Sequence, residues 1–95
     1  MRFTWDEAKN RGNQRKHRVS FETAALVFDD PRQISRLDRE VEGELRWHTI
    51  GMVKSMQVLQ VAHTISESDD EEEVIRIISA RKTTPQERRI YVQGE

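Results

Sequence analysis

The sequence predicts an α+β fold, in which one β-sheet is combined with separate helices. Two observations lead to this prediction. Near the end of the chain, a β-branched strand at residues 74–80 runs into a helix with a complete capping signal at its start. Nearer the beginning, two helical patterns are followed by three strand patterns. The 95 residues suffice for one domain with a modest core, but not for two.

The first two helices are predicted from their caps and from apolar spacing. Residues 1–5 form a short strand, and Asp6 then caps a mostly polar helix that runs to about His17. Ser20 caps a second helix, which the sequence Asp29-Asp30-Pro31 ends. Apolar residues recur in it at helical spacing, and we expect them to belong to the core: Phe21, Ala24, Ala25 and Phe28.

Three strands are predicted in the middle of the chain. Residues 33–37, 44–52 and 58–64 have the composition of strands, and residues 58–64 show it most clearly through their β-branched side chains. Gly51 and the pair Lys54-Ser55 indicate a hairpin turn between the second and the third of them.

The last strand and the last helix carry the strongest signals. Residues 74–80 are apolar on both faces except at Arg76 and Ser79, as in a central strand. In a regular strand Arg76 and Arg81 lie on opposite faces, so a bend near Ser79 is needed to bring them into one site. The segment Thr84-Pro85-Gln86-Glu87 supplies an N-cap, a proline at the first helical position and a capping-box glutamate. The final helix therefore begins there.

Composition excludes several classes of protein. With 35% hydrophobic and 35% charged residues, the core must be thin and much of the surface charged. The absence of cysteine rules out a disulfide framework, a thiolate zinc site and a thiol nucleophile. No apolar run approaches the roughly 20 residues of a membrane span, and the first residues do not form a signal peptide. We therefore expect a cytoplasmic protein without a membrane partner.

The net charge of -1 hides a strong segregation of charge. Residues 1–18 hold six cations against two acids, and residues 76–91 hold five cations against Glu87 alone. Residues 66–73 hold six acids and no cation. In one interpretation the basic ends bind phosphate and the acidic loop binds a basic protein. In the other, these are solvated polar faces and a flexible hairpin loop.

Most catalytic chemistries lack the residues that they need. His17, His48 and His63 lie on different predicted elements without the spacing of metal ligands, so we expect no metal and no cofactor. The four glycines are scattered and do not form a phosphate-binding loop. A turn explains the pair Asp29-Asp30. Histidine, lysine, arginine and tyrosine remain, and these residue types can cleave RNA without a metal by assisting attack of the 2′-hydroxyl on the phosphodiester.

A series of ordered motifs extends over nearly the whole chain, from Phe3 to about Tyr91. The motifs are Trp5-Asp-Glu-Ala-Lys9, Asn13-Gln-Arg-Lys-His17, Val19-Ser-Phe-Glu-Thr-Ala24, Phe28-Asp-Asp-Pro31, Gly43-Glu-Leu-Arg-Trp47, Ile50-Gly51 and Arg76-Ile-Ile-Ser-Ala-Arg-Lys82, with Glu87-Arg88 and Tyr91. In these motifs the chain resembles the BrnT family of bacterial toxins. The resemblance implies a RelE-like fold, with an antiparallel sheet, two N-terminal helices and a C-terminal helix.

The same resemblance implies an endoribonuclease toxin of a type II toxin–antitoxin pair, which cleaves RNA and arrests growth. It also implies neutralisation by a BrnA-type antitoxin with a ribbon-helix-helix DNA-binding domain, and contact with operator DNA only through that antitoxin. Dependence on the ribosome stays open. The alternative is a noncatalytic module of the same fold that binds nucleic acid or an antitoxin.

Candidate site residues follow from the chemistry and the resemblance together. The residues expected to be catalytic are His17, His63, Arg76, Arg81 and Tyr91. The residues expected to bind RNA are Lys16, Arg46, Trp47, Lys82 and Arg88. Structural alternatives stand beside several of them. Lys16 and His17 suit the dipole at a helix C-terminus, His63 and Trp47 suit a core, and Tyr91 suits an anchor between helix and sheet. We expect the antitoxin to cover Lys16, Arg81 or Arg88.

The chain departs from the family pattern at three positions. Arg18 stands where the family has glycine, Ser66 where it often has arginine, and Thr83 where it has alanine. If Arg18 ends the first helix with positive φ, it costs about 1 kcal/mol relative to glycine and the helix end is rearranged. The missing arginine at position 66 is expected to weaken contact with RNA.

Overall fold

The computed structural model describes residues 1–94, which form three helices and a five-stranded sheet. In chain order the elements are β1 (Arg2–Thr4), α1 (Glu7–His17), α2 (Phe21–Ala25), a 3₁₀ turn (Leu26–Asp29), β2 (Ile34–Val41), β3 (Glu44–Met52), β4 (Val58–Glu67), β5 (Glu73–Lys82) and α3 (Pro85–Gln93). The predicted α+β class and the predicted order of elements are confirmed. No helix among residues 1–94 is both long and apolar enough to cross a membrane.

The strand order in the sheet is β1-β5-β4-β3-β2. Strands β2 to β5 form an antiparallel meander, whereas β1 pairs with β5 in parallel. The sheet is therefore mixed, and not purely antiparallel as expected. Because β1 and β5 are connected through the whole intervening chain and not by a hairpin, nothing forces them to run in opposite directions.

The two faces of the sheet are covered unequally. The first two helices pack on one face, where the fully buried core includes Phe21, Val27, Leu59, Val61 and Ile77. On the other face, α3 covers only one end, over a small cluster of Ile50, Val58 and Tyr91. No helix of residues 1–94 covers the rest of this second face.

Two buried asparagines fasten α1 to its surroundings. Asn13 donates from Nδ2 to the carbonyls of Val19 (2.8 Å) and Ala80 (2.9 Å), and accepts from the amide of Ala80 (3.1 Å). Asn10 accepts from the amide of Phe21 at 2.8 Å. These bonds explain how a helix with almost no apolar face stays attached to a thin core.

The end of α1 has the conformation that makes Arg18 unfavourable. Arg18 is the C-cap, with φ 62° and ψ 27°, and its amide donates to the carbonyl of Gln14. This left-handed conformation suits glycine, which has no Cβ to crowd the backbone. The expected positive φ is confirmed, but the helix end is not rearranged, because the cap hydrogen bond is made.

The β3–β4 turn lies where Lys54-Ser55 predicted it, but Gly51 is not part of it. Gly51 lies inside β3, where a Cβ atom would come within 2.8 Å of Val27 Cγ1. The lack of a side chain at position 51 therefore allows the sheet to approach the 3₁₀ turn closely. The acidic segment at residues 66–73 is a hairpin connection whose first and last residues extend β4 and β5.

Candidate functional site

A bulge in β5 brings the two arginines of the last strand onto one face. Ala62 pairs with Ser79, but the next residue, His63, pairs with Ile77, so Ile78 is an extra residue on β5. The bulge lies where the sequence required a bend for Arg76 and Arg81 to join one site. Both now lie on the face opposite α1 and α2.

The strand register orders the polar residues of this face into rows. Arg36 pairs with His48 and lies in one row, and Gln60 pairs with Arg81 in the next. Arg76 pairs with Thr64 in the row on the other side of His48. Successive rows are about 7 Å apart, since they are two residues apart along each strand. We call this surface the open face; its polar residues include Arg36, Arg46, His48, Gln60, Arg76 and Arg81.

One carboxylate joins two of these arginines. Glu44 Oε1 lies 2.6 Å from Arg76 Nη2 and 4.0 Å from Arg46 Nε. The Arg46 Nε atom itself is buried and makes no hydrogen bond within residues 1–94. Because the side chains of Arg76 and Glu44 are both more than a third exposed, this pair holds little stability and is open to competition from another anion.

The second arginine is held more firmly. Arg81 forms a bidentate pair with Glu87, with Nη1 to Oε1 at 2.8 Å and Nη2 to Oε2 at 2.9 Å. Glu87 also completes the capping box of α3, because it accepts from the amide of Thr84. The hydrogen bonds between the two groups lower the pKa of Glu87 and raise the pKa of Arg81. This pair therefore anchors α3 to the sheet as well as placing a cation on the open face.

A chain of hydrogen-bonding groups connects this pair to His48. With its amide nitrogen directed at Glu87 Oε2 (2.9 Å), Gln60 accepts from Arg81 Nη2 (3.1 Å) and from His48 Nδ1 (3.3 Å). The other ring nitrogen, His48 Nε2, lies 3.6 Å from Asp38 Oδ2. In this arrangement Nδ1 carries the proton and Nε2 is the nitrogen left to accept one.

A cleft of about 230 Å³ lies beside this chain, between β2, β3 and α3. Leu37, Ile50 and Ile90 supply its apolar lining, and its polar groups include His48 and Glu87. A larger cleft of about 400 Å³ is lined by Tyr91, Asp30 and Lys54, among others, and contains none of the open-face arginines.

His63 lies in the core on the helix-bearing face. Its Nε2 is 2.7 Å from the hydroxyl of Thr49, which is 2.7 Å from the hydroxyl of Ser35, and the Phe28 ring packs edge-on against the imidazole. The side chain is 1% exposed, and burial lowers the pKa of His63 to about 4. The structure thus separates His63 from Arg76 and Arg81 by the thickness of the sheet.

Tyr91 is also buried and serves as a link between α3 and the rest of the fold. Its hydroxyl donates to Asp30 Oδ2 at 2.5 Å, and the same oxygen accepts from the amide of Met52 at 2.8 Å. Burial, and then the bond to Asp30, raise the pKa of Tyr91. Burial raises the pKa of Asp30, but the bonds from Met52 and Tyr91 outweigh it, so that this pKa is lowered.

The remaining expected residues lie apart from the open face. Lys16 and His17 end α1, in the helix layer on the opposite side of the sheet. Trp47 alternates with Arg46 in β3 and points toward the helix layer, where it pairs with His63. Lys82 and Arg88 line a groove between the β3–β4 turn and α3.

Sequence reasoning did not select Arg36, His48 and Gln60 for the site. Alternation in β3 was a sufficient signal for His48, because His48 lies two residues from Arg46 and therefore on the same face. For residues 1–94, the structure contains no group of three His, Asp or Glu side chains arranged to hold a metal ion.

Fold and surface together define a class of protein: a small α+β domain with arginines and a histidine on the sheet face that α3 covers only at one end. Such a surface suits a polyanionic ligand. A family model described as the ribonuclease toxin BrnT of type II toxin–antitoxin systems matches residues 5–87. The chain therefore belongs to the BrnT family of ribonuclease toxins, as its motifs indicated. Membership implies an RNA target and an antitoxin partner.

One solved structure supports the fold assignment independently. The crystal structure of the Brucella abortus ribonuclease toxin BrnT matches with a TM-score of 0.61 over 88% of this chain and 97% of that chain. The two sequences are 20% identical, so this likeness concerns the fold. None of the curated proteins matches the chain.

Proposed function

We propose that this chain is an endoribonuclease toxin that acts in the cytoplasm without a metal, arrests growth and is neutralised by a BrnA-type antitoxin that carries the operator-binding domain. The observation that carries the catalytic proposal is the β5 bulge, which gathers Arg76 and Arg81 on the face that also holds Arg46 and His48. Family membership supports the choice of RNA.

The proposed reaction is attack of a ribose 2′-oxygen on the adjacent phosphorus. His48 Nε2 accepts the proton of the 2′-hydroxyl, and the new P–O bond gives a crowded phosphorane whose negative charge Arg46 and Arg76 stabilise. The bond to the 5′-oxygen then breaks, this oxygen takes a proton from water, and the hydroxide so formed removes the proton from His48 Nε2. The products are a 2′,3′-cyclic phosphate and a 5′-hydroxyl.

The two carboxylates give the arginines different roles in this proposal. The exposed Glu44 exchanges with the phosphate for Arg76, whereas Glu87 keeps Arg81 in place through a bidentate pair and the capping box. The proposal leaves His63 and Tyr91 out of the reaction, because His63 is buried on the helix-bearing face and Tyr91 is buried where α3 covers the sheet. It also leaves out Lys16 and His17, which lie across the sheet.

The test is cleavage of single-stranded RNA by the purified chain in EDTA, with the ends of the products analysed. Arg76→Ala should lower the rate by roughly 10²–10³, the effect of removing one oxyanion donor, with thermal stability unchanged. Arg11→Ala, an exposed arginine on α1, is the matched control and should leave the rate unchanged. Binding of RNA without cleavage would favour the noncatalytic module, and full activity of Arg76→Ala would refute the assignment.

A further inference from the structure

An apolar patch lies on the helix-bearing face where no helix of residues 1–94 covers the sheet. Leu37 pairs with Trp47, and Trp47 pairs with His63, so all three belong to the face that Phe28 contacts. Extending this register by two residues places Leu45 opposite Ile65. The apolar patch consists of Leu37, Leu45, Trp47 and Ile65.

These side chains are exposed to an unusual degree for their type. Leu37 is 54% exposed, Leu45 45% and Ile65 42%, while Trp47 is half-buried beside them. Single exposed apolar residues are ordinary, but contiguous ones on adjacent strands mark an interaction surface. Their neighbours Thr49, Val61 and Ile77 on the same face are buried under α2 and the 3₁₀ turn.

The end of the sheet beside this patch is strongly acidic. The β2–β3 connection at residues 40–44 carries three acids, and the β4–β5 connection at residues 66–73 carries six, with no lysine or arginine in either. Both connections lie at the same end of the antiparallel meander. Some of these acids have partners: Glu44 turns to Arg76 on the open face, and Glu72 lies near Arg2.

We infer that the apolar patch and this acidic end form the docking surface for a basic amphipathic segment of the antitoxin. The inference rests on the proposed function for the identity of the partner. Apolar residues of such a segment cover the patch, while its lysines and arginines face the acidic connections. A second copy of this chain suits the surface poorly, because it would bring two acidic ends together. An acidic segment that covers the open-face arginines is the competing mode.

Calorimetric titration of the toxin with its co-encoded antitoxin tests the inference. Leu45→Ser/Ile65→Ser, which leaves the cleft beside His48 untouched, should raise Kd about tenfold or more, as loss of a central apolar contact does. Met56→Ser/Val92→Ser removes exposed apolar residues elsewhere, and should change Kd less than about twofold. Glu40→Gln/Glu42→Gln should weaken binding at low salt and less at high salt.

Other outcomes would overturn the inference. Unchanged affinity of the patch variant, with a normal melting curve, excludes the patch. Loss of affinity in Arg46→Ala/Arg76→Ala alone indicates that the antitoxin covers the open face. Sedimentation that shows a patch-dependent dimer of the free toxin assigns the patch to self-association. Because binding is measured without RNA, failure of the ribonuclease proposal appears separately, in the cleavage assay.

Discussion

The buried imidazole of His63 should make the stability of this protein depend on pH between about 6.5 and about 4. Most of this range lies above the pH at which carboxylates become protonated. Burial lowers the pKa of His63 from 6.5 to about 4. In the folded chain the neutral ring is hydrogen-bonded to Thr49 and packs against Phe28. A proton on this ring would add a positive charge that is buried without hydration by water, which is unfavourable. The unfolded chain therefore binds this proton more readily than the folded chain does.

The sign and size of the effect follow from this difference. The contribution of neutral His63 to the free energy of unfolding is fully present above pH 6.5, the pKa in the unfolded chain. It is lost as the pH falls toward about 4, the pKa in the folded chain. At pH 5 the loss is about 2 kcal/mol, and below pH 4 it approaches about 3 kcal/mol. In a domain of this size, about 2 kcal/mol corresponds to a fall in Tm of roughly 8–16 °C.

The measurement is thermal or urea unfolding between pH 7.5 and pH 5, for the wild type and for His63→Gln. The variant keeps a polar group near Thr49 but does not titrate, so its stability should change less over this range. Asp30 and Glu87 also have lowered pKa values and therefore contribute to stability. Their contributions are lost only as the pH falls below their ordinary pKa values of 3.8 and 4.5, which is outside the range of this measurement. Equal pH dependence in the two proteins would refute the reasoning.

Three further substitutions test how the backbone and the buried polar bonds hold the fold. Arg18→Gly should raise the unfolding free energy by about 1 kcal/mol, because its φ of 62° suits glycine; an unchanged urea midpoint would contradict this. Gly51→Ala should lower it by about 1–3 kcal/mol in the same assay, because the new Cβ meets Val27; an unaltered or higher midpoint would contradict the close approach. Asn13→Ala should lower it by about 2–4 kcal/mol, because the buried amide and carbonyl of Ala80 lose their partner; unchanged exchange protection of the Ala80 amide would contradict this.

Local signals predicted the elements well. The capping box at Thr84 and Glu87 and the cap at Ser20 both form, because such caps depend only on residues within one turn. The parallel pairing of β1 with β5 was missed, because the direction of two strands distant in sequence depends on the whole topology. The same holds for Asn13, whose partner Ala80 is 67 residues away.

The proposed site uses cations that the sequence predicted and a histidine that it did not select. Arg76 and Arg81 lie on one face, as the sequence allowed, because the bulge lies near Ser79. His63 was named from its chemistry and the family resemblance, and His48 was not; in the structure His63 points toward the helix layer and His48 toward the open face. The faces of a strand cannot be assigned until it is known which of them the helices cover.

The register of the β2–β3 hairpin decides the character of both proposed surfaces. Arg36 of β2 pairs with His48 on the open face, while Leu37 pairs with Trp47 in the apolar patch. A slip of one residue in this pairing would move Leu37 to the open face and Arg36 to the apolar patch. The two-residue turn at Glu42-Gly43, with φ of 50° and 80°, has the positive values of a type I′ turn and fixes this register. In both proposals Gly43 therefore acts through strand pairing, without contact to RNA or antitoxin.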